Sequence, residues 1–214
     1  MTLNNFLVAL ISLFFFTACS RYTAQDLQTG DLIFQDLDCG ELCDAIEEVT
    51  EAQFHVKGPA LSHVGIVIKQ DGDTSLLEAY GGKVTLTPLK DVLARKQNNQ
   101  PRIVRATALK GLPSDFGERL KAIEKEYLGV PYDDVFAWDN RRYYCSELVA
   151  DIFNRIVGRE YFAPAPMSFG ANDSPAHEVW LKYFTAHGVP IPDGQIGISP
   201  LGIWLQATAH NETR

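Results

Sequence analysis

Leu61-Ser62-His63-Val64-Gly65-Ile66-Val67-Ile68 and Tyr143-Tyr144-Cys145-Ser146-Glu147-Leu148-Val149 decide the reading of this chain. The first is rich in β-branched residues and predicts a strand. The second opens a predicted helix: Leu148, Val149, Ile152, Phe153 and Ile156 share one face, and Gly158 stops it. Cys145 therefore stands at a helix N-terminus, where the positive end of the macrodipole favours thiolate. His63 stands on a strand, which holds its ring rigidly enough to act as a fixed proton acceptor.

Working outward from the strand, Asp71-Gly72 is a two-residue hairpin signal. If it forms the loop, Gln70 pairs with Asp73, Gly65 with Glu78 and His63 with Tyr80. Alternation then places His63 and Glu78 on one face as diagonal neighbours. Gly65 leaves room for ring and carboxylate to meet. A base oriented by a third group is triad logic: Glu78 fixes the imidazole tautomer, and His63 takes the Cys145 proton. The backbone N–H of Cys145 is placed to serve an oxyanion. A one-residue slip would turn Glu78 to the other face, so a solvated strand carboxylate is the competing reading.

The remaining elements predict an α+β fold, a compact antiparallel sheet with helices packed on it. Thr29 to Phe34 reads as a turn and a strand, Cys43 to Thr50 as a short helix. Thr74 to Tyr80, Lys83 to Leu86 and Arg102 to Thr107 read as strands, and Pro88 to Arg95 as a helix. Asp115 with Glu118 has the capping-box pattern, Phe116, Leu120, Ile123 and Tyr127 make one face, and Gly129 ends that helix. The Pro- and Gly-rich tail from Arg159 holds one helix, capped by Ser174, begun by Pro175 and closed by Gly188.

Phe6 to Phe16 is almost wholly apolar. It is too short for a bilayer span of about 20 residues but fits a secretory h-region. Phe16-Thr17-Ala18-Cys19 resembles a bacterial lipobox, which implies cleavage before Cys19 and lipid on its sulfur. The expected division is a signal peptide over 1–18, a tether over 19–28 and one hydrolase domain over 29–214. A plain signal peptide with an incidental cysteine is the alternative. Residues 1–18 carry no charge, so the net charge of −8 lies in the mature part. No basic stripe is present, which argues against nucleic acid. An acidic surface gives no pull toward anionic lipid, so membrane attachment rests on the anchor.

Gly30-Asp31-Leu32-Ile33-Phe34, Ser62 to Val67, Leu77-Glu78-Ala79, Gly129-Val130-Pro131-Tyr132-Asp133 and Tyr144 to Val149 occur in that order. They resemble the circularly permuted papain-like hydrolases, the YiiX-like branch of the NlpC-type superfamily, over about Gly30 to Val157. In this order the base precedes the nucleophile, the reverse of the usual papain arrangement. The resemblance implies a cysteine peptidase or amidase with a Cys145–His63–Glu78 triad and no cofactor. It also implies an oxyanion or pocket role for Tyr144, with Tyr143 and Ser62 as further candidates beside the substrate. By analogy alone, the substrate is an amide such as a cell-wall peptide or peptidoglycan fragment, met at the cell envelope. Two rivals stand beside it: a thiol-dependent lipid acyl hydrolase or acyltransferase, and a ligand-binding lipoprotein without turnover.

Cys39 and Cys43 form a Cys-x-x-x-Cys pair. In an oxidising compartment a disulfide fits if Gly40 leaves Cys39 in a loop, because a continuous helix would hold the two badly. Two buried thiols are the alternative. A metal site with His55 lacks a second clustered ligand pair, so no metal is expected. Asp36 and Asp38 follow the first strand and are either cleft or turn residues.

Overall fold

The computed structural model describes residues 25–212; the signal segment and Cys19 lie outside the described residues. Five antiparallel strands, β1 (Leu32–Gln35), β2 (His63–Gln70), β3 (Asp73–Tyr80), β4 (Lys83–Pro88) and β5 (Arg102–Val104), form one sheet in the order β4-β3-β2-β1-β5. Six helices surround it: α1 (Glu41–Phe54), α2 (Leu89–Leu93), α3 (Phe116–Tyr127), α4 (Cys145–Val157), α5 (Pro175–Ala186) and α6 (Pro200–Glu212). A small ladder joins β6 (Ala165–Pro166) to β7 (Ile196–Gly197).

The β2–β3 hairpin has the register that the Asp71-Gly72 turn implies, from Gln70 opposite Asp73 to Ile66 opposite Leu77. Asp71 and Gly72 both have positive φ, 54° and 89°, as a turn matched to strand twist requires. Alternation then divides the sheet. Val64, Ile66, Ile68, Leu77 and Ala79 join one buried cluster with Leu148, Val149, Ile152 and Phe153 of α4. Val67 and Leu76 face the other way and join Ile33, Leu89 and Val92. His63 and Glu78 belong to this second face.

The space beside Gly65 has a different tenant from the one expected. A Cβ there would lie 2.7 Å from Leu76 Cγ and 3.0 Å from the Leu77 carbonyl oxygen, so the glycine makes room for Leu76 rather than for the triad. The capping box at α3 does not form either. Asp115 has φ −97° and ψ 20°, not the extended backbone of a capping residue, and its carboxylate instead accepts from Arg119 Nε at 2.9 Å. At α5 the expected cap is present: Ser174 Oγ accepts from the His177 N–H at 3.1 Å, and Pro175 opens the helix. The tail holds a second helix, α6, whose Leu201, Ile203 and Ala207 are buried in the main core.

α1 begins at Glu41, so Cys39 lies outside it and Gly40 turns the chain at φ 77°. That places the two Cα atoms 5.4 Å apart, and a disulfide joins Cys39 to Cys43.

Candidate active site

Cys145 is the first residue of α4, and among the described residues it is the free cysteine. The helix brings its sulfur to the start of β2, near the backbone N–H groups of Val64 and Ser146. His63, the first residue of β2, lies beside the sulfur and acts on its charge. Its Nε2 lies 2.6 Å from Glu78 Oε2, which leaves Nδ1 for the sulfur. Glu78 is fully buried, so it is not a solvated strand carboxylate. The structure thus brings Cys145, His63 and Glu78 into one chain of contacts.

Two further side chains complete that chain. Arg95, just after α2, donates from Nη1 to Glu78 Oε2 at 2.8 Å and forms a second bond from Nη2 to Oε1. The same Nη1 donates to Gln35 Oε1 at 3.0 Å. The guanidinium Cζ sits over the Tyr80 ring, 3.8 Å from its centre, and the side chain is largely shielded from water. Sequence reading missed Arg95 and Gln35. Gln35 was within reach of strand alternation, because it pairs with His63 across β1 and β2. Nothing local marks Arg95, since a tertiary turn delivers it.

The electrostatics follow from these contacts. Burial opposes charge on all three groups, and the partners overcome it. Burial pushes the Cys145 thiol up, but the neighbouring His63 and its charge, with the two N–H groups, bring it below its ordinary value. Burial pulls His63 down, yet Cys145 and Glu78 raise it to about 9. Burial raises Glu78, but Arg95 and His63 hold it at about 2. The arrangement therefore favours a thiolate–imidazolium pair backed by a carboxylate and a guanidinium.

The neighbouring candidates separate. Tyr143 is not part of the site: its hydroxyl donates to Asp151 Oδ2 at 3.1 Å, beside Tyr127 at 2.7 Å. Backbone at Tyr144 is extended (φ −87°, ψ 168°), so consecutive side chains leave on opposite sides and only Tyr144 turns toward the pocket. The Tyr144 hydroxyl accepts from the Ile198 N–H at 3.0 Å. It is committed to the tail and acts as a pocket wall. Ser62 lies beside Cys145, with Oγ accepting from the Leu37 N–H at 2.9 Å. Tyr132, which sequence reading placed in a motif without a role, lines the space on both sides of Cys145. Burial first, then the nearby Cys145 charge, hold its phenol protonated, well above the usual tyrosine range. Asp36 is buried and accepts from the Asn98 amide at 2.9 Å, whereas Asp38 lines the groove and pairs with Lys96.

Two openings meet at Cys145. One is an apolar pocket of ≈ 70 Å³ walled by Val49, Phe136, Tyr144, Met167, Phe169 and Trp180. The other is a groove of ≈ 490 Å³ that includes His63, Tyr80, Arg95, Asp38 and Asp134. The tail builds much of the apolar wall. Ser146 Oγ donates to the Ile198 carbonyl at 2.7 Å, and a Cβ on Gly197 would lie 2.8 Å from the Tyr144 hydroxyl.

Residues 26–189 match the family model of the permuted papain-like amidase enzymes, the YaeF/YiiX, C92 family. The chain belongs to this family. It is 29% identical over 177 residues to YiiX of Escherichia coli strain K12, an uncharacterized protein, covering 83% of this chain and 81% of that one. It also resembles the crystal structure of YiiX from Escherichia coli O157:H7, with TM-score 0.68, 27% identity, and coverage of 83% of this chain and 92% of that chain. The match bears out the permuted papain-like α+β fold. That relative is described as a metalloprotein. Among the described residues of this chain, no group of three or more His, Cys, Asp and Glu side chains is placed to hold a metal ion. Both Glu78 oxygens are engaged by Arg95 and His63, and His55 is exposed at the end of α1. The residues here do not fit a bound metal, and no step below uses one.

Proposed function

We propose that this family member is a cysteine amidase or peptidase acting through an acyl-thioester. The observation that carries the reading is the buried Cys145 sulfur at the start of α4 beside a His63 ring whose far nitrogen rests on Glu78. The thiolate attacks the amide carbonyl, and the oxygen takes up negative charge. The backbone N–H of Cys145 and the phenol of Tyr132 are the donors assigned to it. As the intermediate collapses, the C–N bond breaks and the His63 proton passes to the leaving nitrogen. Water then adds to the thioester while His63 accepts its proton. Release of the acid restores thiolate and imidazolium. Glu78 stabilises the imidazolium throughout and, held by Arg95, keeps the ring in one orientation.

A thiol-directed acyl probe should label the wild-type protein and leave Cys145→Ala unlabelled. Equal labelling of both, or of neither, would remove the enzyme reading.

The natural setting we propose is the bacterial cell envelope, with lipid on Cys19 and cell-wall peptide as substrate. The Cys39–Cys43 disulfide supports an oxidising compartment. Radiolabelled fatty acid should enter the protein in its bacterial host, and Cys19→Ala should abolish incorporation. An unlabelled, soluble mature protein would overturn the anchor.

A further inference from the structure

Cys39 and Cys43 line the same groove as Cys145. Their disulfide spans a sequence separation of only 4. A cross-link stabilises chiefly by removing freedom from the unfolded chain, an effect that grows with loop length. So short a loop removes little, and the bond matters more for what it holds locally. It holds the start of α1. Gly40 stands at that N-terminus without a side chain to cap the open N–H groups, and the disulfide ties down the first turn instead. Leu42 and Cys43, in that turn, are groove wall, and Ile46, one turn on, reaches both openings.

The flanks are secured by other means. Upstream, the Asp38 N–H donates to the Lys96 carbonyl at 3.1 Å, and the Leu37 N–H to Ser62 Oγ. Downstream, Ala45 and Val49 are buried against Ala176, Trp180 and Phe184 of α5. Only the stretch between them depends on the disulfide. The bond is also open to chemistry, because Cys39 is exposed while Cys43 is 4% exposed. We propose that an external thiol opens the Cys39–Cys43 bond in the folded protein by attack at Cys39, and that opening it frays the first turn of α1 and widens the groove at Cys145.

The exchange balances in two steps. A thiolate bonds to Cys39 Sγ as the S–S bond breaks, and Cys43 leaves as a thiolate that takes a proton from solvent. The positive end of α1 favours that leaving group, while Glu41 and Asp44 in the same turn oppose it. A second thiolate then attacks the mixed disulfide and departs as the external disulfide. Two thiols are oxidised and the two cysteines reduced.

The consequence for turnover rests on the amidase reading; the exchange and the fraying do not. Dithiothreitol is added to native and to urea-unfolded protein, and the freed thiols are trapped with N-ethylmaleimide and assigned by peptide mass. The native bond should open within about tenfold of the unfolded rate, and a larger deficit overturns the site. In the reduced wild-type protein, amides from Cys43 to Ile46 should exchange hydrogen at least about tenfold faster than in the oxidised one, with those from Val49 onward unchanged. Unchanged exchange at the first turn overturns the fraying. In the double variant Cys39→Ser/Cys43→Ser, labelling of Cys145 by bulky pyrenylmaleimide should rise about fivefold relative to labelling by small iodoacetamide. An unchanged ratio overturns the groove effect, whereas a Cys145 that neither reagent labels in wild type takes down the thiol reading itself.

Discussion

His63→Ala should lower kcat/KM by about 10³- to 10⁵-fold while the fold persists. The loss has two sources, because His63 both supplies the proton for the leaving nitrogen and holds Cys145 ionised. Without the imidazolium, burial is the largest remaining influence on the thiol and raises its pKa. The measurement is the pH dependence of Cys145 alkylation by iodoacetamide. In wild type the thiolate reacts on the acid side of the ordinary thiol range; in His63→Ala the same rate should require more alkaline solution. Turnover by wild type should fall on the alkaline side near pH 9, where His63 loses its proton. It should fall on the acid side where the thiolate is protonated. Glu78, held at about 2, adds no limb in between. An alkylation profile identical in the two proteins would end the ion-pair account.

Arg95→Met should destabilise the protein by about 3 kcal/mol, since it takes from a fully buried carboxylate the cation that engages both its oxygens and leaves only His63 beside it. The sign of the pH dependence is fixed. Glu78 has its folded pKa lowered from 4.5 to about 2, so its contribution is present above pH 4.5 and is lost as pH falls through 2. Removing Arg95 shrinks that contribution. The gap between wild type and variant should therefore be widest near neutrality and narrow in acid. Denaturant midpoints at pH 7 and pH 3 read it directly, and a gap of the same size at both values would mean that Arg95 acts by packing alone.

The parts legible in the sequence were those governed by local rules. The Asp71-Gly72 turn fixed a pairing register, and the register put Glu78 beside His63. Ser174-Pro175 marked a helix start because its cap uses only neighbouring atoms. Two kinds of feature stayed hidden. Arg95 sits in an undistinguished polar stretch, and its meeting with Glu78 is made by α2 folding back over β3 and β4. α6 has apolar residues on several sides, with Leu201 and Ile203 fully buried and Trp204 and Leu205 packed beside them, so it shows no clean helical stripe. Tyr143 was misread for a third reason. Residue type and proximity suggested the site, but one step along extended backbone reverses the side a ring faces.

The reacting atoms and much of the wall beside them lie on different stretches of the polypeptide. Cys145, His63, Glu78 and Arg95 come from the sheet, from α4 and from the turn after α2, whereas Met167, Phe169, Trp180 and Ile198 belong to the later segment clasped to Ser146 and Tyr144 by two bonds at Ile198. The family match ends at residue 189, short of that clasp. Exchanging the stretch from Ala165 to Pro200 between relatives is thus a route to new preferences with the bond-breaking apparatus untouched, provided the incoming piece keeps a backbone N–H and carbonyl where Ile198 now supplies them.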